Sequence, residues 1–180
     1  MNIQQIQVVY DPLQDRIVMQ VRTDQELVYG VWLTRRMALP LVPSFQQSLQ
    51  TLAAQRQAPG AVATPEARAM LAQAAREQAA KSADYATPFD ASTARRPWGD
   101  ALMLPAQAEI VSIPSGQAVL RLRDPAGGTF EVQMGEELAI GMLNLLEAAL
   151  KQSDWLPGPD VTQGAEASAP LSAPPKSSLN

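Results

Sequence analysis

The sequence predicts an α+β fold made of two similar β-β-β-α units, a helical insertion between them and a disordered C-terminal tail. Apolar and polar residues alternate along short stretches, a helical apolar pattern follows each group of stretches, and this order of patterns occurs twice. We therefore expect a single α+β domain over residues 1–155. Its units are expected at about 1–57 and 101–155, the insertion at 64–84 and the tail at 156–180.

The first unit opens with three predicted strands. Residues Ile6 to Tyr10 form a strand that ends at the turn signal Asp11-Pro12. Two stretches with period-two alternation follow, which is typical of strands with one buried face. Their apolar phase consists of Ile17, Met19, Val21, Leu27, Tyr29, Val31 and Leu33.

A helix is predicted to begin near Thr34, whose side chain suits an N-cap. Its apolar positions recur at helical spacing: Met37, Leu41, Phe45, Leu49 and Leu52. Pro40 and Pro43 lie inside this pattern and lack backbone donors, so the helix must either kink there or begin only at Pro43.

The insertion and the second unit follow the same logic. The pair Thr64-Pro65 places an N-cap before a proline, which predicts a helix from there to about Lys81. Strand material lies within Leu102 to Ile113, and two alternating strands then flank a hairpin turn from Asp124 to Gly128. An amphipathic helix follows and ends before Trp155.

The two units align with each other. A shift of 101 residues places Asp15 to Gln50 on Gly116 to Lys151 without a gap, so that Phe45 meets Leu146. Because strand phase, turn position and helix phase agree together, we interpret the pattern as an internal duplication.

Composition excludes several classes of catalytic site. The chain contains no cysteine and no histidine, which excludes Ser-His-Asp and Cys-His catalysis and zinc sites built on thiolate or imidazole ligands. Its carboxylates show no spacing typical of a hydrolase or a metal site. We therefore expect a protein that is not an enzyme and uses no cofactor and no metal.

Targeting signals are absent from the sequence pattern. The first ten residues contain no basic segment followed by an apolar one, and no stretch approaches the ~20 apolar residues of a spanning helix. We expect a cytoplasmic protein without a membrane partner. The predicted tail is rich in Pro, Ser, Ala and Gly and cannot bury enough apolar surface to offset the entropy of ordering.

Short segments carry a resemblance to known sequences. They are Gln14-Asp15-Arg16, Val21-Arg22-Thr23, Trp32-Leu33-Thr34-Arg35-Arg36 and Asp84-Tyr85-Ala86-Thr87-Pro88. Together they resemble a family of small uncharacterised proteobacterial proteins with an Asp-Arg strand and a Trp-Leu-Thr-Arg-Arg strand-to-helix junction. The resemblance covers most of the chain up to Trp155. It implies a shared architecture and brings no assigned function.

Arg35 and Arg36 form the most unusual local feature, because cations in the first turn of a helix oppose its dipole. Free amides and two guanidinium groups at this position suit an anion or a phosphate. The alternative, which we favour, is that both arginines pair with Asp11, Asp15 or Glu26 and pin the helix to the strands.

The outward phase of the predicted strands carries further arginines and one tryptophan. They are Arg16, Arg22, Arg121, Arg123 and Trp32. Arginine beside an exposed aromatic ring is the combination that single-stranded nucleic acids bind. The net charge of −4 opposes this interpretation, and an ordinary solvated sheet face or a covered one remains the simpler alternative.

The leading functional expectation is a non-enzymatic module that binds a protein partner or self-associates. The alternative is a module that binds single-stranded nucleic acid or an anion through the arginine-bearing sheet face and the helix start. A third and weaker alternative is an enzyme that relies on carboxylate chemistry.

Overall fold

The computed structural model describes residues 2–57, 64–82, 87–113 and 115–155. Their elements are β1 (Ile3–Asp11), β2 (Arg16–Thr23), β3 (Val28–Leu33), α1 (Arg35–Gln57), α2 (Pro65–Ser82), β4 (Gln107–Ile113), β5 (Gln117–Arg123), β6 (Thr129–Met134) and α3 (Glu136–Gln152). The strands form two antiparallel sheets, sheet 1 with the order β1-β2-β3 and sheet 2 with the order β4-β5-β6. The predicted α+β fold of two β-β-β-α units with a helix between them is confirmed. The predicted tail, and the last two residues predicted for the insertion, lie outside the described residues.

The strand registers of the two units agree residue for residue. Each of the six pairs between β2 and β3 has a counterpart between β5 and β6 at the same shift of 101 residues. Val18 with Trp32, for example, corresponds to Val119 with Gln133. For the first strands, β1 and β4, the shift that aligns the two units is one residue longer. The reason is that the β4–β5 turn is one residue shorter than the β1–β2 turn. The predicted duplication is therefore present in the strand pairing as well as in the sequence.

The helices of the two units are exchanged. α1 packs mainly against β4 of the second unit, and α3 packs mainly against β1 of the first. Between the two helices Gln46 Nε2 donates a hydrogen bond to Glu147 Oε1 at 3.3 Å, and these two residues are themselves equivalent in the duplication. The buried residues of both units consequently form a single hydrophobic core.

The prolines of α1 are accommodated within the helix. α1 begins at Arg35 and continues through Pro40 and Pro43, so the alternative of a helix that begins only at Pro43 is wrong. The carbonyl oxygen of Thr34 accepts hydrogen bonds from the amides of Met37 and Ala38 at 2.9 Å, which establishes the first turn before the prolines. Both prolines are exposed, so the core-facing side of the helix remains apolar.

The helical insertion covers the contact between the other two helices. α2 packs against both α1 and α3, and Arg76 donates to Glu147 Oε2 at 2.7 Å and to Asn144 Oδ1 at 3.0 Å. Its predicted N-cap is confirmed, because Thr64 Oγ1 accepts the amide hydrogen of Ala67 at 3.3 Å.

The end of α3 is fixed to the β1–β2 turn. Trp155 is buried, its ring contacts Tyr10 edge-on at 5.6 Å, and its Nε1 donates to Asp15 Oδ1 at 2.6 Å. Tyr10 Oη donates to the same oxygen at 2.8 Å. These hydrogen bonds, the one from Tyr10 first, hold the pKa of Asp15 below its ordinary value, and the charge of Arg35 adds to the effect.

Candidate functional site

The predicted arginines do not share one sheet face. Arg16, Arg22 and Trp32 lie on the outward face of sheet 1, whereas Arg121 and Arg123 lie on the outward face of sheet 2. On sheet 1 the guanidinium carbon of Arg16 lies 5.8 Å from the centre of the Trp32 ring, a cation–π contact. The predicted combination of arginine and aromatic ring therefore occurs once among these five residues, and Trp32 is half-buried there.

Arg22 is engaged by the segment that connects the units. Its Nη1 donates to the carbonyl oxygen of Asp90 at 2.7 Å and lies 3.6 Å from Asp90 Oδ2, and its Nη2 donates to Thr93 Oγ1 at 3.4 Å. Hydrogen bonds from Ser92 lower the pKa of Asp90, and the charge of Arg22 lowers it further. Arg22 thus binds a carboxylate and a backbone carbonyl of its own chain.

Gln5 binds the same segment from the neighbouring strand. Its Nε2 donates to the carbonyl oxygen of Pro88 at 3.3 Å, and its Oε1 accepts the amide hydrogen of Asp90 at 3.2 Å. Gln5 pairs with Arg22 across β1 and β2, so the two side chains share one face of sheet 1. We call this pair the first clasp.

The connecting segment then follows the outer edge of β3. The amide of Val28 donates to the carbonyl of Arg95 at 2.9 Å, and the amide of Trp32 donates to the carbonyl of Met103 at 2.8 Å. Both contacts are parallel β-bridges, at Leu27 with Arg95 and at Val31 with Met103. The edge of sheet 1 is therefore covered by the protein's own chain.

Gly30 permits this close approach. A Cβ atom at that position would lie 2.1 Å from Cδ2 of Leu102, far inside van der Waals contact. The equivalent residue in the second unit is Glu131, which carries a full side chain. The sequence therefore distinguishes the covered sheet from the exposed one at this position.

Trp98 of the connecting segment lies where the two units meet. Its ring contacts Tyr29 at 5.1 Å and Phe130 at 5.3 Å, and these two rings, equivalent in the duplication, contact each other at 5.1 Å. The tryptophan is 37% exposed. It folds back onto the domain and joins an aromatic cluster at the meeting point of the units.

Arg121 is neutralised by acidic neighbours on both adjacent strands. Its Nη1 donates to Glu109 Oε1 at 2.8 Å, and its Nε donates to Glu131 Oε1. The two hydrogen bonds, the one to Glu131 first, raise the pKa of the guanidinium. A cation between two carboxylates is a poor partner for phosphate, because the local charge is already negative.

Arg35 and Arg36 are exposed at the start of α1. Within residues 2–57, 64–82, 87–113 and 115–155, neither forms an ion pair within 4.0 Å. Arg35 acts on Asp15 only through its charge, as the lowered pKa of that carboxyl shows. The expected direct pairs with Asp11, Asp15 and Glu26 are absent from this part of the chain.

Arg36 also lies at a groove between α1 and β4. The groove encloses about 270 Å³, and its wall includes Met37, Leu41 and Gln107. The equivalent groove between α3 and β1 encloses about 460 Å³ and is partly lined by Pro88 and Phe89 of the connecting segment. Each exchanged helix therefore leaves a groove beside the first strand of the other unit, and the chain itself enters one of them.

The second unit contains a pair equivalent to the first clasp, but no described segment binds to it. Gln107 pairs with Arg123 across β4 and β5 as Gln5 pairs with Arg22, and both Gln107 and Arg123 are exposed. In the described part of the chain, no side-chain hydrogen bond or ion pair of either residue occurs. We call Gln107 and Arg123 the second clasp.

Sequence reasoning singled out the arginines of both clasps and missed both glutamines. A glutamine in a strand carries no local signal, and only the cross-strand register places it beside its arginine. An extension of the duplication into the first strands, with one residue deleted in the turn, would have paired Gln5 with Gln107.

Comparison with known proteins gives no relative from which a function could be transferred. No protein-family model, no curated protein and no solved structure matches the chain significantly. None of the described helices is long and apolar enough to cross a membrane. Among the same residues, no three acidic side chains are grouped as a metal ion would require.

Proposed function

We propose that the protein is a non-enzymatic interaction module whose second unit binds a segment of another protein chain. The observation that carries the proposal is the difference between the two sheets. The connecting segment forms backbone hydrogen bonds with the outer edge of β3, whereas no described segment forms them with the equivalent edge of β6.

The edge of β6 has the groups that strand addition requires. The amides of Val28 and Trp32 and the carbonyl of Gly30 bind the connecting segment. Because the registers agree, their equivalents Thr129, Glu131 and Gln133 direct the same groups away from β5. An exposed strand edge of this kind is a template for another chain, either a different protein or a second copy.

Binding of single-stranded nucleic acid receives less support from the geometry. Arg22 and Arg121 are both engaged with carboxylates of the same chain, and Arg16 lies over Trp32. Protein binding is therefore the function that we propose. A cytoplasmic location remains part of the proposal, as does membership of the proteobacterial family that the sequence resembles.

Photo-crosslinking tests the proposal. A photoreactive amino acid replaces Thr129 at the edge of β6 in cells that express the full chain, and Gln73 on the exposed side of α2 is the comparison position. We expect a defined crosslinked product, to one partner or to a second copy, at position 129 and none at position 73. Gln133→Pro should abolish the product, because proline removes the outward amide without disturbing the pairing with β5. Gln133→Ala should retain it.

Equal crosslinking at both positions would contradict the proposal. So would an unchanged crosslinked product in Gln133→Pro, provided that this variant keeps the wild-type thermal midpoint. Sedimentation of the purified protein over a range of concentrations distinguishes self-association from binding of a different protein.

A further inference from the structure

We infer that the second clasp, Gln107 with Arg123, is a binding site for an extended acidic peptide of a partner protein, in which an apolar residue is followed directly by aspartate. The inference deepens the proposed function and rests on it. The segment Pro88-Phe89-Asp90 has this pattern of an apolar residue followed by aspartate, and the first clasp already binds it within the chain.

The first clasp shows what such a site recognises. Gln5 binds the backbone on both sides of Phe89, accepting from one amide and donating to one carbonyl, as a neighbouring strand would. Arg22 binds the carbonyl and the carboxylate of Asp90. Recognition therefore combines sequence-independent backbone contacts with one ion pair, at 3.6 Å, that favours an acidic residue.

The groove beside β1 supplies the apolar part. Phe89 lines it together with Leu138 and Met142 of α3. The equivalents of these two helix residues are Met37 and Leu41, and both line the groove of about 270 Å³ beside β4. The second unit therefore repeats these two apolar residues as well as the glutamine and the arginine, whereas Leu145 of the first groove is replaced by Ser44.

Charge complementarity selects an acidic occupant. Arg36 lines the mouth of the second groove, and Arg123 lies beside Gln107 on the adjoining sheet face. Both are exposed, and no ion pair within 4.0 Å engages either in the described part of the chain. The residue equivalent to Arg36 at the start of α3 is Glu137. On the outward face of sheet 2 the carboxylates of Glu109 and Glu131 are both paired with Arg121, and no described carboxylate lies within 4.0 Å of Arg123.

The degree of exposure agrees with an external ligand. The cross-strand row Gln5, Arg22 and Val28 is half-buried to buried, because the connecting segment crosses it. The equivalent row Gln107, Arg123 and Thr129 is exposed in all three positions. A peptide that crosses the second row would reach the edge of β6, so the two surfaces can bind one partner.

The test uses a synthetic peptide with the sequence of residues 87–94, Thr-Pro-Phe-Asp-Ala-Ser-Thr-Ala, titrated into the full chain. In the intact protein the first clasp is already engaged by this segment, so free peptide should report on the second clasp. We expect saturable binding with amide shifts at Gln107 and Arg123. Affinity should fall most in Arg123→Ala, which loses the contacts to both the carbonyl and the carboxylate. It should fall by about twofold to fivefold when the peptide's aspartate becomes asparagine, because that change removes only an exposed ion pair.

Two matched variants complete the experiment. Arg16→Ala removes an arginine from the outward face of sheet 1 and should leave affinity unchanged, and Arg123→Lys should restore part of it. Absence of saturable binding, or equal losses in Arg123→Ala and Arg16→Ala, would overturn the inference. Loss in Arg22→Ala instead of Arg123→Ala would show exchange at the first clasp and overturn it as well. A crosslink at position 129 would persist in each of these cases, so the proposed function is tested separately.

Discussion

The two units have the same strand registers but differ in what lies against their sheets. The connecting segment crosses the outward face of sheet 1 and pairs with its outer edge, where Gly30 leaves room for the side chain of Leu102. Sheet 2 carries Glu131 at that position, where it pairs with Arg121, and no described segment forms backbone hydrogen bonds with its outer edge. The two sheets thus share their strand pairing, whereas the connecting segment forms backbone hydrogen bonds with the edge of only the first among the described residues. The difference teaches that equal strand registers do not give equal surfaces, because the residues on the outward face decide which segment can lie against each sheet.

The largest expected effect concerns what the units share. Phe45 and Leu146 are equivalent residues of α1 and α3, and both are buried in the common core. Phe45→Ala should lower the free energy of unfolding by about 3–5 kcal/mol, and Leu146→Ala by about 2–5 kcal/mol. Denaturation followed by circular dichroism and by tryptophan fluorescence should give one coincident transition in each variant. Two separate transitions would show that the units have independent cores.

Two substitutions, each introducing the residue of the equivalent position, test the difference between the two sheet edges: Gly30→Glu and Glu131→Gly. Gly30→Glu should displace Leu102 and cost about 1–3 kcal/mol, as overpacking does. Hydrogen exchange should accelerate at the amides of Trp32 and Met103, which pair with the opposing segment there. Glu131→Gly displaces no segment and should leave hydrogen exchange at Trp32 and Met103 unchanged. Its cost of about 1–2 kcal/mol comes from glycine in a strand and from loss of the ion pair with Arg121. Unchanged exchange at Met103 in Gly30→Glu would mean that the segment does not depend on the glycine.

The turn residues at Asp15 and Gly116 provide a third comparison, through pH. They are equivalent and both adopt positive φ, at 48° and 76°. Asp15 tolerates this conformation while its carboxylate holds Tyr10 and Trp155. Because its folded pKa is lowered below 3.8, its contribution is complete above that value and is lost as pH falls through the folded pKa.

Thermal midpoints between pH 2 and pH 6 measure this contribution. Asp15→Asn should be less stable than wild type at pH 6, and the gap should close as the pH falls. Trp155→Phe, which keeps a buried ring and removes the donor to Asp15, should show a weaker pH dependence than wild type. A constant gap over the whole range would show that the charge of Asp15 has no part in fixing α3.

The smallest expected effects have opposite signs at the two helix starts. Arg36 opposes the dipole of α1, and the equivalent Glu137 favours that of α3. Arg36→Gln should raise the free energy of unfolding by about 0.3–1 kcal/mol, and Glu137→Gln should lower it by a similar amount. Both changes should shrink in high salt because of screening. Destabilisation by Arg36→Gln would show an ion pair that the described residues do not contain.

Much of the fold was predictable from local pattern. Period-two alternation located β2, β3, β5 and β6, because a strand with one buried face must alternate. The position of α1 was predictable to within one residue from Thr34, whereas its continuity through Pro40 and Pro43 was not, since tertiary packing of an apolar face outweighs two missing donors. The candidate site was predictable only in part, because an arginine on an outward phase gives no indication of what lies above it.

The sequence by itself determined the two repeated units, their strand phases and the absence of histidine and cysteine chemistry. These properties depend on residue type and spacing along the chain, which local sterics and burial convert directly into strands and helices. Only the tertiary structure decided that the helix of each unit packs against the sheet of the other unit, that Gln5 lies beside Arg22, and that the connecting segment forms backbone hydrogen bonds with the edge of sheet 1. Those relations join residues far apart in the sequence, and they are set by the packing of one common core, for which no local pattern encodes the partner.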